Sequence, residues 1–391
     1  MISVNDRTKC CGCTVCSIVC PYNAISMETD SLGFLYPKVD FQKCRDCGLC
    51  ERVCSLKGEN KCITEFSVPV IFAARHKDEN KLMNSRSGAL FVGLSDIILS
   101  YNGSVYGAAF DSAFRVQHIR ATTSVERDRM RGSKYVQSDV TGIFSLVKSD
   151  LENNLQVLFS GTPCQIAALR SFLRYKKVDD TNLLYVDIIC HGVPAPNIWK
   201  DYLNYIEHKY KDKVMKAEFR DKKRHGWSAH VESFLLEKQG WISRKSFAYL
   251  FKKVIMFRPV CSACRYSNLN RPSDITLGDF WGWEQNVPDM NKDDKGVSLV
   301  LVNSKKGQTF INQLRETYDL RAIENLSYIQ PNLKSPSVFD PKWESFERDY
   351  SKRGFEYVSR KYGDAGMDYL VKRFCQKSRT AYRILRNKLG I

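Results

Sequence analysis

Leu155-Gln156-Val157-Leu158-Phe159-Ser160-Gly161-Thr162-Pro163-Cys164 reads as an apolar strand running into a Gly-Thr-Pro-Cys turn. Ile166, Leu169 and Leu173 follow at helical spacing, on one face. Leu183 to Ile189 repeats the pattern, ending in Cys190-His191-Gly192-Val193-Pro194 with a helix after Asn197. Two consecutive strand–loop–helix units predict parallel strands, since strands joined by a helical crossover run in one direction. Cys164 and Cys190 then fall at the carboxyl ends of neighbouring strands, the edge where open α/β sheets bind ligands.

Outward from this pair, Val70 to Ala74, Ser104 to Phe110 and Val116 to Ile119 read as further strands. Asn84-Ser85-Arg86-Ser87-Gly88 forms a capped start to the apolar helix Ala89 to Leu99. Cys261-Ser262-Ala263-Cys264 precedes the strand Ile275 to Leu277 and its Gly278-Asp279-Phe280-Trp281-Gly282 exit. Cys164, Cys190, Cys261 and Cys264 together supply enough thiols for a 4Fe–4S cluster. Buried structural cysteine and a small zinc or redox pair are the alternatives.

The N-terminal cysteines carry a stricter pattern. Cys10, Cys13, Cys16 and Cys20 follow C-x2-C-x2-C-x3-C with Pro21 directly after. Cys44, Cys47, Cys50 and Cys54 repeat the spacing, with Ser55 in place of the proline. In such tandem runs three thiolates hold one cubane cluster and the fourth cysteine reaches the other. That assigns Cys10, Cys13, Cys16 and Cys54 to one cluster and Cys44, Cys47, Cys50 and Cys20 to a second. The alternative of two zinc sites shares only the C-x2-C element. Residues 1–58 resemble a bacterial two-cluster ferredoxin, with short strands at Ala24 to Glu28 and Phe34 to Tyr36. Cys11, Cys62 and Cys375 receive no role.

The chain has 391 residues, 43% hydrophobic and 26% charged, which is globular composition and excludes wholesale disorder. No apolar run is long enough to span a membrane, and no apolar signal region precedes the first cysteine, so the expected location is cytoplasmic. Fifteen cysteines in that compartment point to metal rather than disulfides. The net charge of +17 suits an acidic partner. No nucleic-acid-recognition motif accompanies it, so nucleic acid is not an expected partner. From Asp364 onward Val371, Phe374, Ser378, Tyr382, Leu385 and Leu389 recur at helical spacing among basic residues. Such a helix either docks on its own domain or lies on an anionic membrane surface.

Gly161-Thr162-Pro163-Cys164-Gln165, Cys190-His191-Gly192-Val193-Pro194, Phe219-Arg220-Asp221-Lys222 with Gly226-Trp227, and Cys261-x2-Cys264 with Ser273-Asp274-Ile275-Thr276-Leu277-Gly278-Asp279-Phe280-Trp281-Gly282 occur in order. This set resembles the coenzyme F420 hydrogenase/dehydrogenase beta-subunit family, which includes plant 7-hydroxymethyl chlorophyll a reductase. The resemblance implies a flavoprotein with a 4Fe–4S cluster beside an FAD, the cluster mapping onto Cys164, Cys190, Cys261 and Cys264. There is no G-x-G-x-x-G fingerprint. Ser85, Ser87 and Gly88 at the helix start suit a pyrophosphate, although Ala89 stands where the family has a second glycine. Ser133 and Lys134, within Arg131-Gly132-Ser133-Lys134-Tyr135-Val136, and Gly161 and Thr162 are the other cofactor candidates.

The expected fold is an α/β body with a mostly parallel or mixed sheet over 68–335, preceded by a small α+β bacterial-ferredoxin-like domain (1–58) and a linker (59–67). A helical, basic C-terminal region (336–391) follows. His191 and His225 are the proton-transfer candidates, with His230 behind them. Phe280, Trp281 and Trp283 offer an aromatic wall. The expected function is an iron–sulfur flavoprotein oxidoreductase passing electrons from a reduced ferredoxin or flavodoxin-like carrier through 4Fe–4S clusters to FAD and a small-molecule substrate. Coenzyme F420 and a polysaccharide-biosynthesis intermediate are the substrates the resemblance raises. An electron-transfer subunit without a substrate of its own is the alternative, and an oligomer is compatible with either.

Overall fold

The computed structural model describes residues 2–57, 65–324 and 330–364. Near the N-terminus β1 (Ile25–Thr29) and β2 (Leu35–Val39) form an antiparallel hairpin, flanked by single-turn helices at Val15–Ile18 and Leu49–Arg52. The body follows with β3 (Val70–His76), β4 (Ser104–Phe110), β5 (Val116–Ala121), β6 (Val157–Gly161) and β7 (Leu183–Ile188). A separate antiparallel sheet of β8 (Val214–Glu218), β9 (Glu232–Leu236) and β10 (Gly240–Arg244) interrupts them. The main sheet resumes with β11 (Ile275–Asp279), β12 (Ser298–Val302) and β13 (Tyr318–Ala322).

That main sheet has eight strands in the order β13-β3-β12-β11-β7-β6-β4-β5. Its centre is parallel, with β4, β6, β7 and β11 running together, and its flanking strands pair antiparallel. The central strands need no polar face because helices cover both sides, so β6 and β7 read as unbroken apolar runs. Val157, Leu158, Phe159, Leu183 and Val186 are all fully buried. Gly161 lies opposite Asp187, and Ile275 opposite Val186, which aligns the carboxyl ends of β6, β7 and β11 along one edge.

The N-terminal module is not tethered beside the body but packed into it. Val15, Val19, Leu49 and Val53 share a hydrophobic core with Val140, Phe144, Phe172 and Leu173 of the body. Leu32 and Phe34 pack into a second core around Trp199, Tyr202 and Phe257. The Asn197 N–H donates to the Leu32 carbonyl at 3.0 Å, and the Ser171 hydroxyl to the Val53 carbonyl at 2.8 Å. Within the expected linker, Phe66 already donates to the Asn303 carbonyl.

The last described helix is Trp343–Tyr362. The basic tail, Cys375 and Cys62 lie outside the described residues. Among those residues no helix is long and apolar enough to cross a membrane.

Candidate functional site

The aligned strand ends bring the four body cysteines to one place. Cys164 opens the helix Pro163–Lys176 after β6, and Cys190 follows β7. Cys261 and Cys264 lie on the turn Pro259–Ala263 and just after it. The buried Arg271–Asp187 ion pair (3.1 Å), with Arg271 also donating to the Tyr266 and Ile188 carbonyls, pins that turn against β7. All four cysteines line a single cavity of about 360 Å³. Burial, then the Cys164 and Cys264 sulfurs, push the Cys190 thiol up to about 12. A thiolate in such a place needs a compensating cation.

The module cysteines form two groups. Cys20, Cys44, Cys47 and Cys50 ring a small cavity of about 20 Å³, with Cys47 exposed. Cys16 and Cys54 pack together with Cys50 in a buried cluster that also holds Ile2. Burial, then the Cys10, Cys54 and Cys50 sulfurs, raise Cys16 to about 12. Backbone N–H groups donate to sulfur in both regions with the same geometry: Gly12 to Cys10, Asp46 to Cys44 and Gly192 to Cys190, each at 3.4 Å and each two residues on. All three donors have positive φ, the turn that swings the N–H back onto the sulfur. None of the thirteen described cysteines forms a disulfide, and among the described residues no three potential ligands converge tightly enough for a single metal ion. Sulfurs arranged around a cavity instead suit a cluster with its own volume.

A second cavity of about 360 Å³ shares Cys190, His191, Gly192, Val193, Thr162 and Gln165 with the body cysteine cavity. Ser85, Ser87, Ser133, Lys134, Gly161 and Thr162 all line it. Gly88 does not. Its N–H donates to the Ser298 hydroxyl, and a Cβ there would run into the Ala74 carbonyl, so this glycine serves packing on β3. Ala89 sits at φ +67, the left-handed conformation glycine favours, and caps the helix Leu90–Ser100 without a side-chain bond. Lys134 spends its ammonium on the Arg129, Arg131 and Gly132 carbonyls, and burial lowers it to about 7. Arg86 also lines it: its side chain is 10% exposed, its Nε lies 3.8 Å from Asp279, one terminal nitrogen donates to the Trp227 carbonyl, and the other has no hydrogen-bond partner.

Residues 155–325 match the family described as the C terminus of the coenzyme F420 hydrogenase/dehydrogenase beta subunit, and residues 9–57 match the 4Fe–4S dicluster domain. Within this chain a segment similar to the C terminus of that beta subunit thus follows one similar to the dicluster domain. Among solved structures it is similar to a chain of the F420-reducing [NiFe] hydrogenase complex from Methanosarcina barkeri. The identity is 17% over 74% of this chain and 89% of that one, with a TM-score of 0.46. No curated protein matches it.

Within the matched segment 155–325 the motif residues meet on one wall of the second cavity. Arg220 pairs with Asp279 and donates to the Trp227 carbonyl at 2.8 Å, while the Trp227 indole donates to Asp279 at 3.2 Å. Trp281 stacks on Trp227 at 4.5 Å and faces the cavity. Phe280 and Trp283 instead belong to the hydrophobic core beneath. His191 lies on the wall common to both cavities, lowered by burial. His225 lines neither; its Nε2 is 2.8 Å from the Ser243 hydroxyl on β10. His230 lines the second cavity, stacked near Trp281 and lowered to about 3 by burial and then Arg220. Sequence reading missed His118, which also lines it, bonded to Ser138 and to the Ser160 carbonyl and lowered by burial to about 4. Its strand, β5, carries no motif that would have marked it.

Proposed function

We propose that this protein is an iron–sulfur flavoprotein oxidoreductase in which three 4Fe–4S clusters lead to one flavin. The observation that supports this reading most is the order of the sites. The Cys20, Cys44, Cys47 and Cys50 group reaches the surface. The Cys10 group touches the body cysteine cavity, which is lined by Cys11 of the same motif. That cavity in turn shares a wall with the one lined by Arg86, Trp281 and His191. Cys164, Cys190, Cys261 and Cys264 would hold the third cluster. A flavin bound beyond them exchanges single electrons on one side and a hydride equivalent on the other, chemistry that belongs to the cofactor.

The residues of this chain fit that group. Trp281, backed by Trp227, offers a flat apolar face, and Arg86, ion-paired through Nε with Asp279, keeps one terminal nitrogen available for a phosphate. His191 and His230 are held neutral by burial, so each accepts a proton only when a neighbouring charge develops. A third cavity, of about 530 Å³, shares Ser85, Arg86 and Arg220 with the flavin cavity. It sets Arg86, Arg131, Lys216, Lys222, Lys223 and Arg224 against Asp128, Glu218 and Asp221. That excess of cations favours an anionic substrate, compatible with coenzyme F420 or a polysaccharide-biosynthesis intermediate. The charge of +17 likewise suits an acidic carrier such as ferredoxin or flavodoxin.

The test is anaerobic purification followed by heat denaturation, which should release about one flavin per chain. Protein that carries its iron yet binds no flavin, even when supplied with FAD, would leave an electron-transfer subunit as the better reading.

A further inference from the structure

Arg258 is fully buried, yet among the described residues no carboxylate pairs with it. Its backbone belongs to the body cysteine turn: its N–H donates to the Val193 carbonyl, and its carbonyl accepts from the Cys261 N–H, each at 2.9 Å. Its side chain leaves that turn and enters the dicluster module. Nε donates to the Cys10 carbonyl at 2.8 Å, one terminal nitrogen to the Leu35 carbonyl at 2.6 Å, and the other to Gln137 Oε1 at 2.9 Å. Gln137 in turn donates to the Cys11 carbonyl at 2.8 Å. The guanidinium lies 4.3 Å from the Tyr36 ring centroid and 5.3 Å from that of Phe34. The thiol within its hydrogen-bond reach is Cys10 Sγ, at 3.7 Å; its charge also acts on the Asp30 carboxyl and on Cys164 across the body cysteine cavity, which Arg258 lines.

Every oxygen it meets is neutral. A guanidinium removed from water without a counter-charge costs several kcal/mol, and buried charges are retained where a partner of opposite sign completes them. The sulfur of Cys10 is where that partner belongs, because four thiolates leave a 4Fe–4S cluster net negative. The backbone is shaped for the approach. Gly12 adopts φ +69, and a Cβ there would stand 2.7 Å from the Arg258 guanidinium and 2.9 Å from the Leu35 carbonyl.

We propose that Arg258 is the counter-ion of the cluster held by Cys10, Cys13, Cys16 and Cys54, and that it raises this cluster's reduction potential above that of the outer cluster at Cys20, Cys44, Cys47 and Cys50. Reduction adds one electron to an already negative group, so a fixed cation beside it stabilises the reduced form more than the oxidised form. Net charge and hydrogen bonds to sulfur are established levers on cluster potential. Electrons arriving at the exposed outer site would then move inward downhill, and the same side chain joins the module to the turn that carries Cys261. The inference rests on the dicluster module and is independent of the flavin.

The experiment is an EPR-monitored redox titration of the full-length anaerobic protein, with Cys47→Ser identifying the outer signal and iron analysis on every sample. In the wild type the inner cluster should titrate above the outer one by at least a factor of ten in the reduction equilibrium, about 59 mV for one electron. Arg258→Gln should lower the inner potential by at least that factor and leave the outer one in place. Arg258→Lys, which keeps the charge and loses the fork, should stay close to wild type. Equal or inverted potentials in the wild type overturn the proposal even if neither variant assembles. An unchanged inner potential in an iron-replete Arg258→Gln protein overturns it as well. Protein without iron in the wild type would instead count against the cluster reading beneath it.

Discussion

The two cysteine regions solve one problem by opposite routes. In the dicluster module the cysteines come from two short runs, so single-turn helices and positive-φ turns position them locally. In the body Cys164, Cys190, Cys261 and Cys264 come from separate segments, and only the aligned ends of β6, β7 and β11 bring them to one cavity. Yet Cys190 receives the same 3.4 Å N–H bond, from a positive-φ residue two positions on, as Cys10 and Cys44 do. Local sulfur geometry is thus shared while the global means of assembly differ. The body site depends on the sheet; the module sites depend on their own turns.

The sharpest break of that comparison is Cys261→Ser with Cys264→Ser. About four of about 12 irons should disappear while the module's about eight remain. Flavin reduction by a reduced protein carrier should fall at least about 100-fold, because the relay between module and flavin is gone. Stopped-flow absorbance of the flavin band reads this directly. Loss of all iron would mean that the two regions assemble as one unit.

Acid should weaken the sheet beneath the body site. His118 is 4% exposed and held neutral, with its pKa lowered from 6.5 to about 4 by burial. The unfolded chain takes up a proton at His118 below about pH 6.5 whereas the folded chain does not. Its contribution is therefore complete above pH 6.5 and is lost as pH falls through about 4. The size is on the order of 3 kcal/mol. His118→Gln should flatten the pH dependence of denaturant midpoints across that window.

The cavity proposed for the flavin adjoins the body site and not the module sites, so Arg86→Gln should act on one region only. Loss of a charged donor is worth about 1.5–3 kcal/mol, or roughly 10- to 100-fold in flavin affinity, with module iron unchanged. Equilibrium dialysis of FAD against the variant measures it. The smallest effect is Ala89→Gly, which relieves a left-handed alanine and should raise stability by about 1 kcal/mol in thermal unfolding.

Legibility in the sequence follows the same division. The dicluster module was legible because its cysteine spacing is local, and β4 was readable to its end residues, Ser104 and Phe110. The parallel centre of the sheet was visible in the apolar runs of β6 and β7. The antiparallel flanks and the β8–β10 sheet were not, since strand order is a property of pairing rather than of any one segment. The module looked like a separable domain because Val15, Val19, Leu49 and Val53 are too few to reveal which core they join. Phe219-Arg220-Asp221-Lys222 and Gly278-Asp279-Phe280-Trp281-Gly282 were conspicuous as motifs, but only the fold shows Arg220 and Trp227 meeting at Asp279. Arg258 carried no signal at all. A lone arginine before Cys261 becomes notable only when its side chain reaches Cys10.

On the proposed reading, the body cysteines hold a third cluster between the module and the flavin. Iron and zinc analysis with Mössbauer spectroscopy on anaerobically purified, iron-57-labelled full-length protein tests it in one sample. The expected result is about 12 irons per chain, all in 4Fe–4S clusters. About 8 irons, with zinc or reactive thiols at Cys164, Cys190, Cys261 and Cys264, would contradict it.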